Sequence, residues 1–290
     1  METLLLIDAN SLIHRCFHAL PALTGPNNQP TGSLYGLASI LIKILREQNP
    51  AFITALFDRP EPTFRKEIFE EYKIHRPKAP DELVSQIIEA HNLFEAFRIK
   101  IFEIPGLEAD DLIGTMVKNF KKTPNLKIII LTGDLDTLQL VENNNVVVET
   151  TKKGVSETII YNEAGVKERY DGLLPSQVSD FKGLVGDPSD NILGVPGIGP
   201  KNAIPLIKKY GSLENLLENG QLEKVYPKII KFKEQALLSK KLAQLKCDAP
   251  LIIEDLSELK YEGLPKEILT SYFEKLGFKS LINRINNSWI

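Results

Sequence analysis

Short apolar runs alternate with longer stretches of helical periodicity over the first half of the chain. The apolar runs predict four buried strands, at 4–7, 52–57, 99–104 and 126–131. Apolar residues at helical spacing predict the intervening helices, at 11–20, 33–47, 81–97 and 107–122. Continuous apolar strands joined by helices are typical of a parallel sheet covered on both faces, so we expect an α/β fold flanked by helices.

The second half begins with a hairpin and then becomes helical. Residues 146–150 and 155–160 read as two antiparallel strands with a turn at 152–154. They make the predicted sheet mixed, although still rich in parallel strands. From residue 162 onward the pattern is helical, which predicts a second region of a different class.

We therefore expect two regions that pack together as one unit. The first is an α/β region at 1–160, and the second is a helical region at 161–290. A short apolar run at 251–253 predicts one last strand before a helical tail that ends at Ile290. No internal repeat or low-complexity segment interrupts this organisation.

The composition fits a globular protein of the cell interior. A hydrophobic content of 43% over 290 residues is ample for a core. Cys16 and Cys247 are too few for a disulfide framework or a cysteine-based zinc site. The N-terminus has no basic lead, and no apolar stretch approaches the roughly 20 residues of a membrane span. We expect a cytoplasmic protein with no membrane partner.

Acidic residues follow each of the four predicted strands. They are Asp8 after the first strand, Asp58 after the second, Glu108, Asp110 and Asp111 after the third, and Asp134 and Asp136 after the fourth. Singly, each could cap a helix, favour a helix N-terminus or belong to a turn. Together, seven carboxylates at one sheet edge would repel strongly without a metal, and hard oxygen ligands favour magnesium or manganese.

A second acidic motif is joined to a glycine-rich turn in GDPSDNILGVPGIGPKNA, residues 186–203. Asp187 and Asp190 are three residues apart, so a helical turn would place them on one side, where a cation would relieve their repulsion. Gly197 and Gly199 predict a turn whose N–H groups can approach a phosphate, and Lys201 follows at a helix start. Ordinary turn chemistry in a structural helix–helix link is the alternative. The stretch lacks the Gly-Lys-Ser/Thr of a nucleotide-binding phosphate loop.

Basic and aromatic residues interleave at 59–80, directly after Asp58. Charges such as Arg65, Lys73 and Arg76 beside the ring of Tyr72 suit a single nucleic-acid strand, while a solvated amphipathic helix is the alternative. The net charge of −3 does not oppose nucleic-acid binding. Setting aside the nine candidate metal ligands leaves 38 − 9 = 29 acids against 35 Lys and Arg, a balance of +6.

These motifs together resemble the 5′ nuclease domain of bacterial DNA polymerase I, within the wider family of structure-specific flap endonucleases. The matching stretches run in order over nearly the whole chain: Asp8, residues 57–83, GLEADD at 106–111, TGDLD at 132–136 and residues 186–203. The resemblance implies a helical arch at about 59–80. It also implies a C-terminal helix–hairpin–helix subdomain, at about 176–210, that holds duplex DNA.

The resemblance also implies the site residues. It places one metal among Asp8, Asp58, Glu108 and Asp110, and a second among Asp134, Asp136, Asp187 and Asp190, with Asp111 in support. Lys73 and Arg76 match arch positions that reach the scissile phosphate. The DNA-binding residues expected are Arg65, Tyr72 as a stacking position, Lys73, Arg76, Gly197, Gly199 and Lys201. A potassium ion at the hairpin is a further expectation.

The implied activity is a 5′→3′ exonuclease and flap endonuclease with two Mg²⁺ or Mn²⁺ ions, which leaves 5′ phosphates. Expected substrates are 5′ flaps, nicked or gapped duplexes and RNA–DNA primer junctions, in replication and repair. We expect a monomer coupled in function to a DNA polymerase. The chain departs from the common family pattern at His14, where tyrosine is frequent, and at Leu135, where lysine or arginine is frequent.

Two other readings stay open at this point. Asp8-Ala-Asn10 after the first strand loosely matches an aspartyl-nucleophile phosphatase, which would leave the hairpin and arch unexplained. A DNA-structure-binding protein without catalysis is the other, although nine acids would burden such a protein electrostatically. The sequence leaves open the preferred flap length, the exonuclease-to-endonuclease ratio, the assignment of acids to each metal, and whether the nuclease stands alone or belongs to a longer polymerase.

Overall fold

A computed structural model describes residues 1–153, 157–251, 253 and 255–287. Its six strands are β1 (Glu2–Asp8), β2 (Phe52–Leu56), β3 (Lys100–Phe102), β4 (Leu126–Thr132), β5 (Val146–Lys153) and β6 (Glu157–Tyr161). The helices of the N-terminal half are α1 (Ala9–Ala19), α2 (Gly32–Gln48), α3 (Phe64–Ile68), α4 (Asp81–Ala96) and α5 (Ala109–Phe120). Those that follow are α6 (Glu163–Arg169), α7 (Val178–Val185), α8 (Pro200–Tyr210), α9 (Leu213–Asn219), α10 (Tyr226–Lys231), α11 (Lys233–Ala243), α12 (Lys266–Leu276) and α13 (Lys279–Asn287).

The strands form one sheet in the order β3-β2-β1-β4-β5-β6. Strands β1 to β5 are parallel to one another, and only β6, paired with β5, is antiparallel among the described strands. This arrangement confirms the predicted mixed, parallel-rich sheet. The chain adds strands on one side of β1 and then, from β4 onward, on the other. This reversal makes the carboxyl ends of β1 and β4 the point at which a binding crevice is expected.

The central strand shows why the strands read as continuous apolar runs. Leu5 and Ile7 of β1 belong to the core cluster on one face of the sheet, and Leu4 and Leu6 belong to the cluster on the other. Successive side chains of a strand point to opposite faces, so helices on both sides require every position to be apolar. All four side chains are fully buried.

The helical region has a core of its own, but the last two helices do not belong to it. Helices α7 to α10 pack around a third cluster that includes Leu184, Ile207 and Leu216. In contrast, Phe273 of α12 and Leu281 of α13 are buried in the first cluster, against α2 and α4. Packing therefore divides the chain differently from the predicted boundary at 160/161, because the C-terminal helices return to the α/β core.

The predicted arch is less helical than expected. Within 59–80 only α3 is an α-helix, and turns follow it as far as residue 76. Prolines at 60, 62, 77 and 80 restrict the backbone at both ends of the segment. The segment lies against the rim of the sheet, where the side chains of Arg65 and Tyr72 are buried.

The remaining differences concern the sheet edge and the C-terminal part. The predicted turn at 152–154 and strand at 155–160 fall partly on residues 154–156, outside the described chain, and the second hairpin strand is observed as β6. The predicted strand at 251–253 is wrong for Leu251 and Ile253, which are irregular, while Ile252 lies outside the described residues. The tail is helical to Asn287, and residues 288–290 lie outside as well. No described helix combines the length and apolarity needed to cross a bilayer.

Candidate metal centre and nucleic-acid interface

Five of the nine predicted metal ligands line one cavity at the carboxyl edge of the sheet. The cavity has a volume of about 210 Å³, and its lining acids are Asp8, Asp58, Glu108, Asp110 and Asp134. Lys73, Arg76 and His14 line the same cavity. The structure thus brings together acids from the ends of four strands, as the sequence predicted.

Hydrogen bonds fix these acids where the strands end. Asp8 ends β1 and caps α1, because its Oδ1 accepts a hydrogen bond from the Ser11 N–H at 3.1 Å. The helix-capping role that the sequence left open for this residue is therefore present beside its place in the cavity. The hydroxyl of Thr132, at the end of β4, donates to Asp8 Oδ2 at 2.6 Å. Asp58 Oδ1 accepts from the N–H of Ala109 at 2.7 Å, which connects β2 to the start of α5. The crevice between β1 and β4 is therefore lined by side chains with fixed positions.

Four of the acids form no ion pair within the described chain, and we call them the open carboxylates: Asp8, Asp58, Asp110 and Asp134. Burial and the charge of Asp58 raise the pKa of Asp8 to about 7. Burial, together with the charges of Asp134 and Asp8, raises the pKa of Asp110 well above its ordinary value. Asp110 Oδ1 is buried without a hydrogen-bond partner among the described residues. An orphaned oxygen among like charges fits a divalent cation with oxygen ligands.

The other five acids are each balanced by a cation of the protein, and we call them the paired carboxylates: Glu108, Asp111, Asp136, Asp187 and Asp190. The arch supplies three of the cations, Arg65, Lys73 and Arg76. Lys73 Nζ lies 2.8 Å from Glu108 Oε1, and the Arg76 guanidinium contacts Asp190 Oδ1. Lys73 has a φ of +56°, and its N–H donates to the Asp190 carbonyl at 3.0 Å. Such a conformation is strained for lysine, and the contacts around it hold it in place.

Lys182, which the sequence analysis did not single out, supplies another cation. Its ammonium group lies between Asp136 and Asp187, 2.6 Å from Asp187 Oδ2 and still closer to Asp136 Oδ1. Burial raises the pKa of Asp136 to about 6 although Lys182 opposes the rise. Burial also acts to raise the pKa of Asp187, but Lys182 and Ser189 outweigh it, and the net pKa is lowered. The sequence shows only that Lys182 lies five residues before Asp187, a spacing too common to predict their ion pair.

Arg65 corrects two predictions at once. Its side chain is 1% exposed, and its Nη1 and Nη2 donate to the two carboxylate oxygens of Asp111 at 2.7 and 2.8 Å. Its Nε donates to the Leu242 carbonyl at 2.9 Å. Arg65 is therefore not placed to guide a nucleic-acid strand. Asp111 is fully buried with both oxygens engaged, so it acts as a structural partner and is not open to a metal.

Tyr72 is likewise not placed as a stacking residue. Its ring is 4% exposed, and its hydroxyl donates to Asp190 Oδ2 at 3.0 Å and to Glu108 Oε2 at 3.3 Å. A ring buried in this way presents no face to a base. Sequence spacing could not reveal this, because a tyrosine among basic residues looks the same whether its ring is exposed or anchors the segment.

The described acids do not form a ready-made metal cage. No group of three or more among the described His, Cys, Asp and Glu side chains is arranged to hold an ion as it stands. The open carboxylates repel one another, and the cations of the arch and Lys182 hold the paired carboxylates. The donor chemistry and the unpartnered oxygen of Asp110 fit a divalent ion, but ligation requires the side chains to close around it.

The predicted hairpin lies between α7 and α8. Gly197 has a φ of +73°, as expected, whereas Gly199 is extended with a φ of −104° and does not need to be glycine for its backbone. No atom lies within 4 Å of the place where a Gly199 Cβ would be, so this part of the hairpin is open. The N–H groups of Gly197 and Gly199 donate no hydrogen bond within the described chain. Lys201 is exposed in the first turn of α8, and Lys228 Nζ would lie 2.9 Å from a Cβ at Gly197.

The two departures from the family pattern have different surroundings. Leu135 packs against the second apolar cluster, so its side chain is used in the core. His14 is exposed on α1 and lines the cavity of the acids. Partial covering of its ring, together with the charges of His18 and Arg76, lowers the pKa of His14. Of the two positions, only His14 borders the site.

Comparison with known protein families covers nearly the whole chain. A sequence model described as the 5′-3′ exonuclease N-terminal resolvase-like domain matches residues 3–171, and one described as the 5′-3′ exonuclease C-terminal SAM fold matches residues 173–267. DNA polymerase I of Bacillus subtilis is 41% identical over 98% of this chain, which spans 32% of that protein. The 5′-3′ exonuclease of Aquifex aeolicus is 34% identical over 99% of this chain and 96% of its own length.

Solved structures share the fold. A complex of the bacteriophage T5 D15 flap endonuclease with DNA and metal ions aligns with a TM-score of 0.69 at 22% identity, over 93% of this chain and 98% of that one. T5 5′-exonuclease with bound zinc aligns with a TM-score of 0.67 at 23% identity, over 84% of this chain and 90% of that one. The catalytic core of Rad2 with DNA substrate aligns with a TM-score of 0.61 at 17% identity, over 98% and 91%.

Proposed function

This chain belongs to the 5′-3′ exonuclease family, and we propose that it is a structure-specific 5′→3′ exonuclease and flap endonuclease that hydrolyses DNA phosphodiesters. The family predicted from the sequence motifs is confirmed. The observation that carries the proposal is the cavity at the sheet edge, where acids from four strand ends meet two arch cations. A phosphatase acting on small molecules would leave the hairpin and the arch unexplained.

We infer that divalent metal ions bind at this rim, with magnesium or manganese favoured by the carboxylate donors. Asp8, Asp58, Glu108 and Asp110 would hold one ion, and Asp134, Asp136, Asp187 and Asp190 would hold a second. When bound, such ions activate water and neutralise charge on the leaving oxygen. The unpartnered Asp110 oxygen and the raised pKa of Asp8 support this assignment, because both reflect negative charge that the protein itself does not balance.

Lys73 and Arg76 act on the reacting phosphate. Both side chains line the cavity of the acids and are partly exposed, whereas the other arch cation close to the rim, Arg65, is buried. A cation held at that position stabilises the charge that grows on the phosphoryl oxygens in the transition state. Their present partners, Glu108 and Asp190, hold the two cations at the rim before substrate arrives.

The hairpin binds the duplex through its backbone. The unpaired N–H groups of Gly197 and Gly199, with Lys201 and Lys228 beside them, present donors and positive charge without reading base sequence. This suits an enzyme that recognises a 5′ flap, a nick, a gap or an RNA–DNA primer junction by shape. A potassium ion at the hairpin and a monomeric state are part of the same proposal.

The cellular role that we propose is primer removal and repair in association with a DNA polymerase. The chain spans about a third of the length of the polymerase relatives but almost all of the Aquifex exonuclease. In the polymerase relatives, the matched stretch belongs to the same chain as the polymerase, which supports a coupling to DNA synthesis.

The decisive test is digestion of a 5′-end-labelled flap duplex with magnesium, with EDTA as the metal-free control. We expect a cut near the junction that leaves a 5′ phosphate on the downstream strand, and no cut in EDTA. The matched protein control is the Asp110→Asn variant. Cleavage by that variant within tenfold of the wild-type rate would count against the proposed site, and no cleavage by the wild type on flap, nicked or gapped duplex would refute the proposal.

A further inference from the structure

We propose that Lys182 is an internal counter-cation of the second metal position, and that a second divalent ion binds there only by displacing its ammonium group from Asp136 and Asp187. The inference rests on the proposed function, because it concerns ions at the same rim. It predicts two ions of unequal affinity that bind in a fixed order. It also assigns a role to a residue that lies outside the proposed set of ligands.

The Lys182 ammonium group occupies the place where a second metal ion would bind. Lys182 Nζ bridges two carboxylates that come from different parts of the chain, one in the turn after β4 and the other in the loop after α7. The lysine side chain is 10% exposed, so water contributes little to its solvation. A divalent ion bound by Asp136 and Asp187 would have to occupy much the same space, and the two cations would repel each other strongly.

The rest of the rim sets the order of binding. Among the described residues, the open carboxylates form no ion pair, and one buried oxygen of Asp110 has no hydrogen-bond partner. An ion that enters there gains attraction and displaces no ion pair of Lys182. An ion that enters between Asp136 and Asp187 must break two charge-assisted contacts first. The first ion is therefore expected among the open carboxylates.

Displacement of the ammonium group requires no change in the fold. Helix α7 is held against α11, and Leu184 is fully buried in the core of the helical region. The lysine side chain has four rotatable bonds, so its ammonium can move by rotamer changes while its backbone stays in place. Until then Lys182 keeps Asp136 and Asp187 close together, which makes it a positioning residue.

The closing experiment counts ions without measuring cleavage. Mn²⁺ is titrated into full-length wild type, Lys182→Met and Lys240→Met, and bound ions are followed by electron paramagnetic resonance. Lys240 is the matched control, because its ammonium bridges Asp180 and Glu214 at 2.6 Å each and is 15% exposed, but it lies in the helical region away from the cavity. Circular dichroism verifies that each variant is folded.

We expect two ions in the wild type, one tight and one weak. Lys182→Met should tighten the weak site about tenfold or more and leave the tight site within twofold, because a competing charge is removed. Lys240→Met and the charge-preserving Lys182→Arg should leave the weak site within about threefold of the wild type. An unchanged or weakened second site in Lys182→Met overturns the inference alone. If the wild type binds no ion at all, the proposed function fails and the inference fails with it.

A measurement on the wild type keeps the inference testable if Lys182→Met does not fold. Lysine acylation, mapped by mass spectrometry, is compared with and without saturating Mg²⁺. Lys182 should become at least threefold more reactive when both sites are filled, while Lys240 should stay unchanged. Equal protection of Lys182 in both states would show that its ammonium never leaves the two acids, and would overturn the inference.

Discussion

Asp110 and Asp111 are adjacent in the chain, yet they belong to opposite kinds of acid. Asp110 lies among other carboxylates, and one of its buried oxygens has no partner in the part of the chain that the structure describes, whereas Asp111 is held at both oxygens by Arg65. The same division runs through the whole rim, between the open and the paired carboxylates. It teaches that an acidic motif contains two kinds of residue, those whose counter-charge the protein supplies and those that require it from outside.

The largest effect should come from removing an open carboxylate. Asp110→Asn should lower the single-turnover cleavage rate by about 10³-fold or more, because the proposed first metal ion would lose a ligand. The same variant should be more stable than the wild type in EDTA by about 1 kcal/mol, since a repelled and unpartnered charge is gone. Quench-flow kinetics and urea unfolding measure the two quantities.

Duplex binding separates this loss from misfolding. The affinity of Asp110→Asn for a nicked duplex should be unchanged or higher, because negative charge near the DNA has been removed. A cleavage rate within tenfold of the wild type would remove Asp110 from the group that requires a metal.

The next effect concerns a paired carboxylate and has the opposite sign for stability. Arg65→Ala should destabilise the protein by about 3–5 kcal/mol, because it leaves the buried charge of Asp111 without its partner. Guanidinium unfolding in EDTA measures it. Arg59→Ala is the control, since Arg59 pairs with Glu61 at the surface and should cost less than about 1 kcal/mol. Comparable losses in the two variants would mean that the Arg65–Asp111 pair is not structural.

Lys73 tests whether a cation can serve both a paired carboxylate and the substrate. Lys73→Ala should lower the single-turnover rate about 10²–10³-fold, roughly 3–4 kcal/mol, as for loss of one preorganised donor. Stability in EDTA should fall by less than about 1 kcal/mol, because the side chain is partly exposed. The control is Lys66→Ala. In the wild type, the Lys66 ammonium donates to the Tyr72 carbonyl in the same segment. If both variants cleave at similar rates, Lys73 is only a partner of Glu108.

The smallest effect is on pH dependence in the absence of metal. The pKa of Asp8 is about 7 in the folded protein and 3.8 ordinarily, so between these values the folded chain keeps a proton that the unfolded chain loses. The contribution of Asp8 to stability therefore falls as pH rises through this window, by about 2 kcal/mol between pH 5 and pH 7. Urea unfolding in EDTA should show a shallower pH dependence for Asp8→Asn than for the wild type. Identical slopes would mean that Asp8 titrates normally.

Much of the fold could be predicted from the sequence because periodicity reports burial. The apolar runs that became β1 and β4 are buried on both faces, and no local signal competes with that pattern. The prediction of a strand at 251–253 was wrong because the apolar run reports only burial, and a buried segment can also be irregular. The return of α12 to the first core could not be predicted, because an amphipathic helix does not specify which surface its apolar face covers.

The candidate site divides in the same way. Acids at strand ends were predictable, because a parallel sheet brings its carboxyl ends to one edge. The partners of those acids were not. The pairing of Arg65 with Asp111 and of Lys182 with Asp187 depends on tertiary contacts between distant parts of the chain or on side-chain direction, which spacing does not reveal.

The docking of α12 and α13 on the α/β core bears on how the chain is made. The hydroxyls of Tyr35 and Ser280 lie 2.9 Å apart although 245 residues separate them, and Phe273 and Leu281 fill the surface of α2 and α4. At about 5–20 residues per second, a ribosome needs roughly 10–50 s to span that interval. Throughout this time the nascent chain exposes an apolar face, so the helical region can fold before the core that precedes it is complete. The topology therefore delays completion of the first core until nearly the whole chain has been synthesised.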